Sequence, residues 1–162
     1  MRRLLIAVAL ILAAAPGARA SHPLDLIAPV DGPIVRHFEA PPDPFAAGHR
    51  GIDIAAPVGS PVAAAAGGVV AFAGQVGGDL FVSIDHPQGV RTTYSFLSVI
   101  RVRTGETVEQ GALIAASGTG HTTDPEPNLH FGLRMGTEYL DPEPVLLDSI
   151  RRNLWRVVSL AG

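Results

Sequence analysis

The 162-residue sequence contains no cysteine and no lysine. Because no disulfide can form, a protein that works outside the cytoplasm must draw its stability from core packing or from a bound metal. A lipid-modified N-terminus has no attachment residue either, since no cysteine follows the N-terminal apolar run. All twelve basic residues are arginine, so every fixed positive side-chain charge is a guanidinium group.

A long apolar run occurs at the N-terminus, from Leu4 to Ala15, and it is too short for a comfortable membrane span. Arg2 and Arg3 precede it, and a small-residue pattern ends at Ala20. This order is typical of a secretory signal peptide. We therefore predict that residues 1–20 are a signal peptide, that no membrane span remains after cleavage, and that the protein is secreted into the cell envelope. An uncleaved N-terminal anchor is the alternative.

The remaining part of the chain carries little positive charge. After residue 20, nine Arg stand against fifteen Asp and Glu, which gives a net charge near −6 with histidine neutral. This balance argues against nucleic acid as a partner, and it supplies no long-range attraction to anionic wall polymers. About 142 residues remain, enough for one domain with a good core.

Short strands separated by turns are predicted for most of the chain. Residues 21–47 are rich in proline and indicate an extended lead-in, with a short strand around residues 33–38. Residues 48–147 are rich in Val, Ile, Ala and Gly with frequent turn signals, and "DHPQG" at 85–89 is a hairpin signal. The pattern predicts an all-β fold with a mainly antiparallel sheet core.

The C-terminal residues 148–162 show a different period. Ile150, Leu154, Val157 and Val158 fall on one helical face. We predict a short C-terminal helix that packs on the sheet, and a surface-binding helix is the alternative.

His49 and Asp53 lie four residues apart in "GHRGIDIAAP". Alternate residues of an extended segment face the same side, so both side chains share a face with Gly51 between them. Gly51 removes a side chain there and leaves room for an ion, while Ile52 and Ile54 can enter a core. The pair alone is weak evidence, because this spacing arises often by chance.

A third candidate ligand lies in "NLHFGLR", residues 128–134. By the same alternation Asn128 and His130 share a face, and Leu129 and Phe131 point the other way. Two histidines and one aspartate leave a fourth tetrahedral position for water, which is the open arrangement of a catalytic zinc. Water bound there becomes a usable nucleophile near neutral pH.

The remaining histidines have simpler interpretations. His22 lies near the expected new N-terminus, His37 is expected on a strand surface, and His86 is expected to be exposed in a hairpin turn. His121 lies in the loop "GTGHTTDPEPN". A surface position is its simpler interpretation, because polar residues collect in loops, and the alternative is that it reaches the metal site.

Four blocks resemble, in order along the chain, the lysostaphin-type (LytM) zinc metallopeptidases: "GHRGIDIAAPVGSPVAAAAGGVVAFAG", "DHPQGVRTTYSFLS", "VRTGETVEQGALIAASGTG" and "PNLHFGLRMG". Members typically cut peptide cross-links of bacterial peptidoglycan. The resemblance covers about residues 30–146, so it includes most of the chain after the expected signal peptide. It implies a Zn²⁺ cofactor whose ligands are His49, Asp53 and His130.

Two further histidines of that family help to activate the water and stabilise the oxyanion, and this chain lacks both. Asn128 occupies the first position of the His-x-His block, and "YSFL" puts Phe96 where the Tyr-x-His-Leu histidine belongs. Phe96 cannot exchange a proton, and Asn128 can donate a hydrogen bond but cannot act as a base. Losing a general acid–base group typically costs about 10²–10⁴ in rate. Asn128 and His121 stay as candidate catalytic residues.

Two hypotheses follow from the resemblance. The first is a secreted zinc-dependent peptidoglycan endopeptidase with an atypical acid–base set. The second is a catalytically degenerate zinc-binding module that binds wall peptides or regulates a separate cell-wall hydrolase. A third class is excluded: "VRTGETVEQGALIAASG" also resembles lipoyl and biotinyl carrier domains, which need a lysine. That likeness indicates only barrel-sandwich-like hairpins of the duplicated-hybrid-motif type.

Overall fold

A computed structural model describes residues 25–43, 46–121 and 126–147. Within these residues ten strands and a short 3₁₀ turn follow one another, and residues 143–147 are helical. The strands are β1 (Ile34–Arg36), β2 (Ile52–Ala55), β3 (Pro61–Ala63), β4 (Gly68–Val76), β5 (Asp79–Asp85), β6 (Val90–Ile100), β7 (Thr107–Val108), β8 (Leu113–Ser117), β9 (Asn128–Met135) and β10 (Glu138–Leu140). The predicted all-β fold with a mainly antiparallel sheet and a short helix near the C-terminus is confirmed.

The ten strands belong to one antiparallel sheet. Its main path runs β1-β2-β9-β6-β5-β4-β7, with β10 on β9 and with β8 joined to β3 and β6. Strand β9 therefore lies between β2 and β6. In this register His130 lies opposite Asp53 of β2 and opposite Ser95 of β6. Polar positions of three neighbouring strands meet at one place.

Apolar residues on the same strands form the core beneath this place. Ile52 and Ile54 of β2 are buried, and so are Leu129 and Phe131 of β9. On β9 this is the alternation that the sequence predicts. Because burying one such side chain contributes roughly 1.5–3 kcal/mol, the two strands are firmly anchored around Asp53.

The segment before β1 packs on the sheet more closely than an extended lead-in would. Leu26 and Val30 are buried in the core. The backbone N–H of Ile27 donates a hydrogen bond of 2.9 Å to the carbonyl of Ala65. The strand predicted around residues 33–38 is present and is shorter, from Ile34 to Arg36.

The hairpin predicted at residues 85–89 is confirmed, with a 3₁₀ turn at Pro87–Gly89 between β5 and β6. The expectation that His86 is exposed in this turn is wrong. Its Nδ1 donates to the carbonyl of Gly67 at 2.8 Å, and its Nε2 bonds the Thr92 hydroxyl at 2.8 Å. His86 is therefore a partly buried structural residue.

The predicted signal peptide, residues 1–20, and the predicted helix, residues 148–162, lie outside the described residues. Helical structure begins at residue 143, before the predicted boundary. Across residues 25–43, 46–121 and 126–147, the structure contains no helix of the length and apolar character that crossing a membrane requires.

Candidate metal centre

An acid and a histidine lie side by side on two central strands. Asp53 of β2 and His130 of β9 are direct partners in the register, and His130 Nδ1 lies 2.7 Å from Asp53 Oδ1. The Asp53 side chain is 0% exposed, whereas that of His130 keeps 14% of its surface. Because strand pairing fixes their separation, this pair is positioned before any ligand binds.

His49 reaches the same place from outside the strand. The expectation that residues 49–53 form one continuous extended segment is wrong, because residues 50 and 51 bend and β2 begins at Ile52. His49 instead pairs with Glu39 in an isolated antiparallel bridge. A bend and a bridge, rather than strand alternation, bring its ring towards Asp53.

The orientation of the His49 ring is set by a second hydrogen bond. Its Nδ1 donates to the carbonyl of His37 at 2.7 Å, which leaves the Nε2 lone pair facing the cluster. That Nε2 lies 3.1 Å from Asp53 Oδ1 and 3.0 Å from His130 Nδ1. A carbonyl that fixes the tautomer in this way is typical of metal-ligating histidines.

Gly51 makes room for this arrangement. A methyl group at position 51 would lie 2.9 Å from Cε1 and Nε2 of His130 and 2.5 Å from the carbonyl oxygen of Phe131. Any other residue would push the His130 ring or the β9 backbone aside. The prediction that Gly51 leaves room for an ion therefore has a steric basis.

His121 joins the cluster from the connection between β8 and β9. Its Nε2 lies 3.6 Å from Asp53 Oδ1, and its side chain is 28% exposed. One ligand atom each from His49, Asp53, His121 and His130 fits within a mutual separation of 4.8 Å. The simpler expectation of a surface loop position is therefore wrong, and the alternative that His121 reaches the site describes its place.

The donor set fits a cation at this position. With its Nδ1 proton given to a carbonyl, a neutral His49 presents an Nε2 lone pair to the carboxylate oxygen of Asp53 only 3.1 Å away. Two acceptors at that distance repel unless a proton or a metal ion lies between them. Among the described residues, Asp53 Oδ2 is also buried without a hydrogen-bond partner. Imidazole nitrogen with carboxylate oxygen is a common ligand set for zinc.

The histidines keep Asp53 ionised. Burial alone raises the pKa of Asp53, but the hydrogen bond from His130 and electrostatic attraction to His130, His49 and His121 hold that pKa below its ordinary value. A carboxylate that stays charged inside a sheet is a strong ligand for a divalent cation, so the electrostatics agree with the geometry.

Phe96 lies beside the cluster on the side of His121. Their ring centroids are 4.4 Å apart, and the Phe96 centroid is 6.3 Å from that of His130. Its φ of +59° falls in the left-handed region, which is uncommon for a bulky residue and departs from the strand geometry of β6. The position that the resemblance assigns to a histidine thus holds an apolar ring in contact with His121.

Asn128 is fully buried at the start of β9, opposite Ala55. Its Nδ2 donates to the carbonyl of Glu126 at 3.1 Å. It also packs tightly on Gly120, where an added methyl group would lie 2.4 Å from Asn128 Oδ1. Through these contacts the Asn128 side chain packs against the backbone on either side of the loop that contains His121.

A cationic pocket that was not among the predicted site residues adjoins the cluster. It has a volume of about 230 Å³, and its lining includes Arg50, Arg91, Arg134, Tyr139 and His130 itself. Arg91 donates to Asp85 Oδ2 at 2.7 Å, and the Arg50 guanidinium lies 5.8 Å from the Tyr139 ring centroid. A usable signal was present: His130 and Arg134 are four residues apart on one strand, so both face the same side.

The fold and the four-residue cluster together define an all-β protein with a metallopeptidase-like centre. Residues 47–142, more than half of the chain, match the profile of Peptidase family M23. The chain belongs to Peptidase family M23, and the resemblance to lysostaphin-type enzymes is confirmed.

Named relatives and solved structures agree with this family. The DD-carboxypeptidase/endopeptidase Mpg of Neisseria meningitidis is 42% identical over 101 residues, covering 61% of this chain and 23% of Mpg. A zinc-containing peptidase from Vibrio cholerae superposes with a TM-score of 0.60 at 31% identity, covering 70% of this chain and 37% of that one. The catalytic domain of lysostaphin from Staphylococcus simulans gives 0.58 at 26% identity, covering 68% and 88%. The chain spans less than half the length of the curated relatives that it matches.

Proposed function

We propose that this chain is a zinc-binding, extracytoplasmic protein that recognises peptidoglycan peptides and hydrolyses them slowly or not at all. The observation that carries the proposal is the contrast around the cluster. His49, Asp53 and His130 offer three converging ligand atoms, while Phe96 and Asn128 stand where proton-handling groups would be needed.

Zinc is the metal that the ligand set favours. Imidazole nitrogens with a carboxylate oxygen suit zinc, and a structural neighbour is named a zinc-containing peptidase. His49, Asp53 and His130 would hold the ion, and bound zinc supplies Lewis-acid chemistry towards carbonyl groups. Every other contribution to binding and catalysis must come from the side chains of this chain.

Slow hydrolysis follows from the neighbours of the cluster. A phenyl ring can neither accept nor donate a proton, and the Asn128 amide cannot act as a base. The loss of a general acid–base group costs about 10²–10⁴ in rate, and the loss of an oxyanion donor costs about 10²–10³. The two losses need not multiply, but either one is enough to separate binding from turnover.

The cationic pocket supports an acidic peptide as the ligand. Three guanidinium groups, Arg50, Arg91 and Arg134, line one cavity beside His130, in a chain with an excess of acidic residues. That of Arg91 is already paired with Asp85, so Arg50 and Arg134 are the candidates for binding a ligand carboxylate. Arginine binds carboxylates through two parallel hydrogen bonds. Peptides with free carboxylates fit such a pocket, and relatives named DD-carboxypeptidase/endopeptidase and peptidoglycan DD-endopeptidase make wall peptides the natural candidates.

The test is binding of the zinc-loaded protein to insoluble peptidoglycan, measured by sedimentation. We expect Arg134→Ala to weaken binding about 10- to 100-fold, the range for losing a hydrogen bond to a charged group. Arg101→Ala is the matched control, because Arg101 is exposed, follows the end of β6 opposite to Arg91 and does not line the pocket. Equal loss in both variants, or no binding by the wild type, contradicts the proposal.

The second candidate is a true endopeptidase, which is favoured by the three converging ligand atoms and by the relatives' names. Release of soluble peptides from the same wall preparation distinguishes the two. We expect wild-type release to stay at the level of an Asp53→Asn variant. Zinc-dependent release that this substitution abolishes would establish the second candidate. Regulation of a separate cell-wall hydrolase stays a prediction from the sequence.

A further inference from the structure

We propose that His121 is a fourth protein ligand of the zinc site, so that the site is closed to water in the resting protein. The inference rests on the zinc binding proposed above, and it concerns the regulation of that same site. Sequence reasoning and the family resemblance both supply three ligands. The fourth donor comes from the loop that precedes β9.

The donor atoms lie close enough to one another to share one ion. Four donors at zinc bond lengths of about 2.0–2.1 Å in a tetrahedron lie about 3.3 Å from one another. The closest pairs here are 2.7 Å for His130 with Asp53, 3.0 Å for His49 with His130, and 3.1 Å for His49 with Asp53. His121 Nε2 is 3.6 Å from the same Asp53 oxygen. These four distances bracket the tetrahedral value, and the remaining pairs of donor atoms lie within 4.8 Å of each other.

The three imidazole rings are arranged in the same way. Rings that share an ion at these bond lengths have centroids about 5 Å apart. The centroid distances are 4.9 Å for His49 with His130, 5.2 Å for His121 with His130, and 5.8 Å for His49 with His121. The His121 ring therefore lies nearly as close to the other two rings as they lie to each other.

Phe96 and Asn128 pack against the loop that contains His121. The Phe96 ring packs on the His121 ring at 4.4 Å, and the Phe96 carbonyl accepts a 2.9 Å hydrogen bond from the N–H of Gly118. Asn128 packs against Gly120, whose φ of +77° suits glycine. Both positions that lack a proton-handling histidine thus support the segment from Gly118 to His121.

Closure by His121 has a chemical consequence. Zinc sites with four protein ligands are structural, whereas catalytic sites keep a position for water. With His121 bound, the site offers no place for a nucleophilic water or a substrate carbonyl. Release of His121 from the ion would leave the three ligands His49, Asp53 and His130, with a position open for water.

The test uses two metal measurements on the full-length protein, neither of which depends on hydrolysis. Competition with a chromophoric chelator gives the zinc affinity of the wild type, of His121→Ala, and of the control Arg101→Ala, an exposed residue outside the cluster. Visible spectra of the Co²⁺-substituted proteins, with and without acetohydroxamate, report whether a coordination position is open.

We expect His121→Ala to weaken zinc binding about 10- to 100-fold or more, since perturbing even outer-shell partners costs that much. Adding acetohydroxamate should leave the Co²⁺ spectrum of the wild type unchanged and should shift that of His121→Ala. Unchanged affinity in His121→Ala, or a wild-type spectrum that shifts equally, overturns the inference. Thermal unfolding with chelator present checks that both variants fold. Failure of wall binding would instead overturn the proposed function and leave this result intact.

Discussion

The two sides of the metal cluster are positioned by different kinds of structure. On one side, Asp53 and His130 face each other across paired strands, with separations fixed by backbone hydrogen bonds. On the other side, His121 belongs to a loop that packs against Phe96 and Asn128. Strand pairing resists displacement because many bonds must break together. A loop held by a few side chains can be released by a single change.

This difference separates metal binding from catalysis. The strand side needs only to present ligands, and its residues match what the family resemblance implies. The loop side is where proton transfer would have to occur, and its residues are an apolar ring and a neutral amide. A protein can therefore lose turnover through changes on the loop side while the strand side keeps its metal.

The largest expected effect comes from rebuilding the loop side. The triple variant Phe96→His, Asn128→His and His121→Ala supplies two proton-handling groups and opens the fourth coordination position. We expect release of soluble peptides from peptidoglycan to rise by at least about 10²-fold over the wild type, the low end for one general acid–base group. The release is measured by chromatography of the wall digest.

A matched control keeps polarity and removes proton transfer. The variant Phe96→Gln, Asn128→Gln and His121→Ala carries amides at the same positions, and it should release no more peptide than the wild type. If the histidine variant binds zinc and folds but shows no gain, the contrast between the two sides does not account for the slow hydrolysis proposed above.

A smaller effect is expected from disturbing the strand side. In Gly51→Ala the new methyl group meets the Phe131 carbonyl at 2.5 Å and the His130 ring at 2.9 Å. We expect the free energy of unfolding to fall by about 1–3 kcal/mol, as for other overpacked sites, and zinc affinity to fall about 10- to 100-fold. Denaturant titration and chelator competition measure the two quantities.

Gly67→Ala serves as the control for Gly51→Ala. A methyl group at position 67 has its nearest neighbour, the Val108 carbonyl oxygen, at 3.4 Å, which is ordinary contact. Zinc affinity should be unchanged in this variant. Equal loss of affinity in both would mean that general destabilisation, rather than the space beside His130, causes the effect.

The strand side could be predicted from sequence because its information is local. The alternation of Asn128, Leu129 and His130 fixes which residues enter the core and which face the site, and β9 follows it. The room that Gly51 leaves between His49 and Asp53 could also be predicted from local spacing. His49 was placed in the site for a partly wrong reason, since a bend rather than a strand orients it.

The loop side and the cationic pocket could not be predicted in the same way. Whether His121 turns towards the cluster depends on how its loop packs against Phe96, a contact between residues 25 positions apart that no periodicity encodes. The pocket joins Arg50, Arg91 and Arg134 from separate segments, so only the sheet order brings them together. His86 was missed because the sequence does not show that the Gly67 carbonyl lies against its ring.

The smallest expected effect concerns His86. It sharpens the comparison because His86 has a structural role and lies outside the metal cluster. Burial lowers the pKa of His86 below its ordinary value of about 6.5, although the Gly67 hydrogen bond and Asp85 oppose the shift. Just below pH 6.5 the unfolded chain therefore binds more protons at His86 than the folded protein does. Stability rises with pH in that window, and it falls as the pH drops towards the folded pKa.

Replacing His86 by glutamine should remove that part of the pH slope. Chemical denaturation of wild type and His86→Gln in the presence of chelator, at several pH values from 5 to 8, measures the difference in unfolding free energy. At pH 8 both side chains are neutral, so the difference there reports only lost packing and the bonds to Gly67 and Thr92. We expect the wild-type advantage to shrink steadily below pH 6.5. A constant difference across the range would show that His86 binds its proton equally well in both states.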